Sequence, residues 1–130
     1  MTRYLLDSNE LINFARGREP FAIRIRDLLE SGEEVGVSPV CVAEFLSNLP
    51  PERRSRWVEL LLGLTVWPLS FEDGVQAGIY RYEAARSGRP LSTPDTLIAA
   101  TAHRVNAIVV TENLKDFPMP GVRVMSLAEG

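Results

Sequence analysis

Four acidic stretches carry the side chains of this chain that could do chemistry. Asp7 closes the run Tyr4-Leu5-Leu6-Asp7, Glu44 stands inside Val42-Ala43-Glu44-Phe45, Asp95 follows Pro94, and Thr111-Glu112-Asn113 leads on to Asp116. Carboxylates drawn into one pocket repel one another, and at least one pKa rises unless a cation neutralises them. A divalent metal resolves that conflict. Oxygen donors suit Mg²⁺ or Mn²⁺, whereas the single Cys41 and single His103 cannot build a zinc site of the usual kind. Mg²⁺ keeps several waters and binds through one or two carboxylates plus a substrate phosphate. The matching chemistry is phosphodiester hydrolysis by a water whose pKa the metal lowers.

Distant acids meet only if the elements before them converge. Tyr4-Leu5-Leu6 predicts a buried first strand, followed by a helix over about Glu10–Arg16 that Gly17 stops. Pro20 opens a second helix, Val35-Gly36-Val37 gives a second strand, and Ser38-Pro39 starts the helix bearing Glu44. Pro50-Pro51 begins a fourth helix, Thr65-Val66-Trp67 forms a third strand, and a longer helix covers about Phe71–Ser87. Ser92-Thr93-Pro94-Asp95 starts the next helix; Ala107–Val110 is the clearest strand, and Val122–Val124 a short last one. Strands alternating with helices predict an α/β fold, a mainly parallel sheet buried on both faces and a single domain over residues 1–130. Ligand sites in such sheets lie outside the carboxyl ends of the strands. Asp7 and the 111–116 segment therefore share one rim if the first and fourth strands are neighbours.

Composition narrows the class. The 130 residues are 45% hydrophobic and 24% charged, enough for a core and against disorder, and the net charge of −3 argues against a broad polycationic surface. One cysteine excludes an internal disulfide and fits a reducing, cytoplasmic setting. The start reaches Asp7 before a signal-peptide core could form, and no apolar run approaches the ~20 residues of a membrane span.

Each candidate also has a plain structural role. Asp7 could cap its helix, although Ser8 or Asn9 could do so instead and leave it free. Glu44 could sit on a solvated face or pair with an arginine. Asp95 fits a capping box with Pro94 at the first helical position, and Asn113 and Asp116 are ordinary turn formers. Thr111 could hold a carboxylate or touch substrate. Arg81, Arg86 and Arg89, and Arg16 and Arg18, are the candidates for contacting a substrate's phosphates. His103 and Cys41 read as structural, and Trp57 and Trp67 as packing residues.

Together Tyr-Leu-Leu-Asp7-Ser-Asn9, Val-Ala-Glu44-Phe-Leu, Pro-Asp95-Thr-Leu-Ile-Ala-Ala and Val-Val-Thr111-Glu-Asn113-Leu-Lys-Asp116-Phe resemble the PIN-domain ribonucleases. More narrowly, they look like VapC-type toxins of toxin–antitoxin pairs. The resemblance covers nearly the whole chain. It implies a three-layer α/β/α sandwich, Mg²⁺ or Mn²⁺ as cofactor, and RNA as substrate. It also implies a homodimer neutralised by a small antitoxin protein. Asp7, Glu44 and Asp95 fall on the family's first three acidic positions and the 111–116 segment on its fourth, where many members carry an acid and this chain has Asn113.

Other readings separate on single residues. An aspartyl phosphotransferase would want a second Asp at position 9, which is Asn, and a receiver domain would want an acid after the third strand, where Trp67-Pro68-Leu69 stands. A PIN-like RNA-processing nuclease outside a toxin–antitoxin pair, or a non-catalytic binding domain with an inherited acidic pocket, shares the same residues.

Overall fold

A computed structural model describes residues 1–128. Its order is β1 (Arg3–Leu6), α1 (Ser8–Ala15), α2 (Phe21–Glu30), β2 (Glu34–Val37), α3 (Pro39–Leu46) and α4 (Pro51–Leu62). There follow β3 (Thr65–Val66), α5 (Phe71–Arg86), α6 (Thr93–Val105), β4 (Ala107–Val110), a 3-10 turn (Leu114–Asp116) and β5 (Val124–Met125). All four strand pairings are parallel, in the order β3-β2-β1-β4-β5.

This order has a physical consequence. From β1 the chain moves outward through β2 to β3, then crosses back over the sheet to β4 on the far side of β1. Right-handed crossovers in opposite directions place their helices on opposite faces. The α1–α4 helices thus cover one face and α5 and α6 the other, which is the three-layer sandwich expected. β1 and β4 are neighbours, with Leu6 opposite Val110, and the strand order reverses between them. A crevice opens at such a switch point.

The central strands are apolar on both faces because both are covered. Leu5, Leu6, Val37, Val109 and Val110 are closed to solvent, and Phe45 from α3 and Ile98, Ala99 and Ala102 from α6 pack onto them. Gly36 in β2 is required by a close approach: a Cβ there would lie 2.5 Å from the Thr65 carbonyl oxygen and 2.6 Å from the Trp67 ring. Trp57 packs edge-on against Phe14 and Phe45, with centroids 6.1 and 5.6 Å away. Cys41 is a buried core residue whose thiol burial pushes up to about 12.

An ion pair fixes α5 against α6. Arg104 Nε donates to Asp73 Oδ1 at 2.8 Å and its Nη2 to Oδ2 at 3.0 Å; the Thr101 hydroxyl and the Ser70 N–H donate to the same carboxylate. Burial alone would raise the Asp73 pKa, but these donors, Arg104 foremost, outweigh it and hold the carboxyl below its usual range. Ser70 and Asp73 form a reciprocal capping box at the start of α5.

Boundaries shift by one or two residues from the sequence reading. The first helix starts at Ser8 rather than Glu10, the last strand is Val124–Met125, and Trp67 lies beyond β3. Thr93, not Pro94, takes the first helical position of α6, because Ser92 is its N-cap.

Candidate active site

The rim at the carboxyl ends of β1 and β4 is built around Asp7. The Asp7 N–H donates to the Val110 carbonyl, which continues the ladder one residue past each strand and sets Asp7 beside Thr111. Asp7 is itself the N-cap of α1, the structural role weighed for it, and neither Ser8 nor Asn9 takes its place. The extended backbone at Asp7 feeds straight into the helix, so no residue is left over. Its Oδ1 accepts the Ser8 N–H at 2.8 Å, and its Oδ2 accepts the Thr111 hydroxyl at 3.0 Å. One side chain thus caps the helix with one oxygen and meets Thr111 with the other.

Thr111 is completely buried. Its hydroxyl donates to Asp7 and accepts the Asn113 N–H at 3.0 Å, so both of its roles are filled within the protein. Of the two roles open to Thr111, holding a carboxylate is the one its geometry fills, and with no exposed surface it is not placed to touch substrate. It is a positioning residue that orients Asp7.

The other acids arrive from separate elements. Glu44 lies half-buried on α3, whose N-cap Ser38 accepts from the Val40 and Cys41 N–H groups. Asp95 lies half-buried in the first turn of α6. Its N–H donates to Ser92 Oγ at 3.2 Å, which is one half of a capping box. Asp116 ends the 3-10 turn, its N–H bonded to the Asn113 carbonyl.

Electrostatics couples these acids. Burial is the main cause that pushes the Asp7 carboxyl up to about 6, against the pull of Thr111 and Ser8, and the charges of Asp95 and Glu44 push it further. Asp95 is raised by burial and then by Asp116 and Glu44. Carboxylates from β1, α3, α6 and the 3-10 turn thus act on one another across a single rim. Asp116 presents its charge to Asp95, whereas Asn113 lines an adjoining polar cavity. Among the described residues no three His, Cys, Asp or Glu side chains are close enough together to chelate one ion. The sequence expectation of a three-acid ligand set of Asp7, Glu44 and Asp95 is not met as a direct chelate.

A pair missed in the sequence, Glu10 with Glu112 of the fourth acidic stretch, lies just behind. Glu10 is fully buried, and its Oε2 has no hydrogen-bond partner among the described residues. Burial, then the adjacent Glu112, pushes its carboxyl up to about 8. Burial would raise Glu112 too, but Ser126 and the Leu127 and Ala128 N–H groups outweigh it and keep Glu112 below its usual range. At neutral pH Glu10 is the protonated member of the pair. Its position in the amphipathic stretch Glu10-Leu11-Ile12 gives no sign of burial, because its partner is a hundred residues away.

Of the arginines expected at RNA, Arg81 donates to the Leu91 carbonyl at 3.1 Å and Arg86 stacks 3.6 Å above the Tyr82 ring. Arg89 lines a separate cavity with Tyr80 and Glu83. Arg16 and Arg18 line the cavity that contains Asn113. His103 lies against the Gly121 carbonyl at the end of α6, the structural place expected for it.

Comparison with known proteins agrees with this geometry. The PIN domain family model matches residues 4–118. Ribonuclease VapC19 of Mycobacterium tuberculosis is 31% identical over 118 residues, covering 88% of this chain and 92% of the relative. The tRNA(fMet)-specific endonuclease VapC of Salmonella typhimurium is 32% identical over 130 residues, covering 95% of this chain and 97% of its own. Among solved structures, DNA-bound VapBC from Salmonella typhimurium superposes with a TM-score of 0.77 at 29% identity, over 97% of this chain and 98% of that one. An acidic rim at the sheet's switch point, motifs in this order and whole-length likeness agree: the chain belongs to the PIN-domain family, among its VapC ribonucleases.

Proposed function

We propose that this protein is the toxin of a toxin–antitoxin pair, an endoribonuclease of the cytoplasm that hydrolyses RNA phosphodiester bonds with Mg²⁺ or Mn²⁺. The observation that carries the reading is Asp7. It is buried, oriented by Thr111, and raised to about 6 where three further acids converge.

A site of this kind fits a hard divalent cation. Its donors are all oxygens, and their mutual repulsion is relieved by positive charge. Asp7 and Asp95 would hold the ion, with Glu44 and the Asn113/Asp116 segment completing its surroundings directly or through water. When bound, such an ion lowers the pKa of water and stabilises charge gathering on the phosphate. The chain's own groups do the remaining work. Thr111 keeps Asp7 in one orientation, α6 delivers Asp95 by its first turn, and the Asp73–Arg104 pair holds α6 in place. No serine, cysteine or histidine is needed as a covalent nucleophile.

The small antitoxin partner and the homodimer rest on the resemblance to VapC toxins. The VapBC assembly from Salmonella supports the first of these. No helix among the described residues is long and apolar enough to cross a membrane. The test is incubation of purified protein with total RNA and Mg²⁺ or Mn²⁺, then sequencing of the new ends. Discrete new ends that vanish with chelator are expected, and intact RNA with either metal would refute the proposal.

A further inference from the structure

The cavity next to the acidic rim has an unusual wall. It encloses about 370 Å³, within the range of roughly 300–1,000 Å³ common for small-ligand pockets. Asn9, Asn13, Asn48 and Asn113 line it together with Arg16 and Arg18. Asn9, Asn13 and Arg16 follow one another at helical spacing, so a single side of α1 and its C-cap supplies three of the six. α1 is also the helix that Asp7 caps, and Asn113 is held by the same Thr111 hydroxyl that holds Asp7. Helix α1 and the Thr111 hydroxyl thus connect the cavity wall to Asp7.

Its hydrogen-bonding capacity is largely unspent. Asn48 Nδ2 donates to the Glu44 carbonyl at 2.9 Å, and Asn13 Nδ2 reaches Glu10 at a long 3.4 Å; neither bond uses an amide oxygen. The side-chain amides of Asn9 and Asn113 have no partner among the described residues, and neither guanidinium is paired with a carboxylate there. The one acid on the wall, Glu112, is occupied by Ser126, Leu127 and Ala128. A protein of net charge −3 has here a concave patch of free amides and free guanidiniums.

This combination selects a ligand with both a phosphate and a flat hydrogen-bonding edge. Arginine grips phosphate oxygens in a planar fork, and asparagine can make two bonds to a base edge. Sequence-specific RNA recognition reads unstacked bases in this way. We propose that the cavity is a nucleotide subsite: it seats one unpaired RNA nucleotide beside the cleaved bond, Arg16 and Arg18 on its phosphate and the asparagines on its base. It rests on the nuclease reading for what lies next door, but it names the residues that choose the cut site. Arg81 and Arg86 are engaged elsewhere, and Arg89 lines a different cavity.

The experiment has two arms. In the first, fluorescence anisotropy follows binding of a short single-stranded RNA to the full protein in chelator at low salt. Arg16→Ala/Arg18→Ala should weaken binding at least tenfold and flatten its dependence on log salt by about 0.7, the slope for the one single-strand phosphate that the protein no longer neutralises. In the second, Asn9→Ala and Asn48→Ala are given a random-sequence RNA pool with Mn²⁺, and the new ends are sequenced. Both variants should keep cutting but lose base preference at one position beside the cut. If the unaltered protein does not cut, yet binding still needs the two arginines, the subsite stands and the nuclease reading falls. Normal cutting with wild-type base preference and unweakened binding in these variants overturns the subsite alone, and leaves the guanidiniums for an acidic protein partner. No detectable RNA binding by the unaltered protein overturns it as well.

Discussion

Replacing Asp7 by Asn should abolish cleavage and at the same time make the metal-free protein more stable. The Asp7 carboxyl lies at about 6 in the fold against an ordinary 3.8. A folded pKa raised above the unfolded one means that the fold prefers the neutral acid. The penalty for ionising it is absent well below 3.8, grows between 3.8 and 6, and is complete above 6. At about 1.36 kcal/mol per pKa unit it reaches about 3 kcal/mol at pH 8. Asparagine carries no charge and keeps the oxygen that accepts the Ser8 N–H. It disturbs the bond from Thr111, whose hydroxyl already accepts from Asn113, at about 1 kcal/mol. The net gain is about 2 kcal/mol, or roughly 5–10 °C in Tm for a domain of this size. Thermal melts in chelator read it directly. The Asn variant should melt higher at pH 8, and the gap should close near pH 4.5, where the remaining penalty of about 1 kcal/mol matches the lost bond. With Mn²⁺ added, the wild-type protein should gain stability and the variant little. A variant that melts lower than wild type at pH 8, or a gap indifferent to pH, would refute the electrostatic reasoning.

Three further outcomes follow from the same structure. Glu10→Gln mimics the protonated acid, so its Tm in chelator should stay level between about pH 6.5 and 9, where the Asp7 penalty is already complete. Wild type should lose about 5 °C or more over that range as Glu10 is forced to ionise near 8. Asp73→Ala leaves Arg104 and Thr101 without their acceptor and should destabilise by about 2–4 kcal/mol in urea melts near neutral pH. That contribution belongs to a depressed carboxyl, so it is present above about pH 4 and shrinks as acid protonates Asp73. Thr111→Val keeps the shape of a buried residue but frees Asp7 to turn. It should lower kcat about tenfold with KM nearly unchanged, as steady-state cleavage kinetics would record.

Much of the fold is legible in local chemistry. The apolar runs Leu5-Leu6 and Ile108-Val109-Val110 mark strands covered on both faces, and helix starts at Ser38-Pro39 and Ser92-Thr93 fix where Glu44 and Asp95 project. The rule that sites lie beyond strand ends then puts Asp7 and the Thr111 segment together, as the β1–β4 pairing shows. Reading side chains singly misleads elsewhere. Taken alone, Asp7 is either a cap or a chemical group; in the fold capping does not exclude the second role, because it occupies only one carboxylate oxygen. Thr111 reads as available to substrate, since a residue after a strand is usually exposed; pairing of β4 with both β1 and β5 buries it. Glu10–Glu112 and Asp73–Arg104 are illegible in the sequence because each joins elements far apart in the chain. The arginines on α5 stand out by density, whereas Arg16 and Arg18 reach the rim through the turn after α1.

If separated acids make one cation-requiring centre for cutting RNA, cleavage must depend on both the cation and the acids. The most direct measurement compares cleavage of a defined RNA by purified wild-type, Asp7→Asn and Asp95→Asn proteins across an Mn²⁺ titration, with folding checked by melting. Cleavage by wild type that rises with Mn²⁺, stops with chelator and falls at least a hundredfold in either folded variant is the expected result. Undiminished cleavage by folded Asp7→Asn protein, or wild-type cleavage indifferent to chelator, would contradict it.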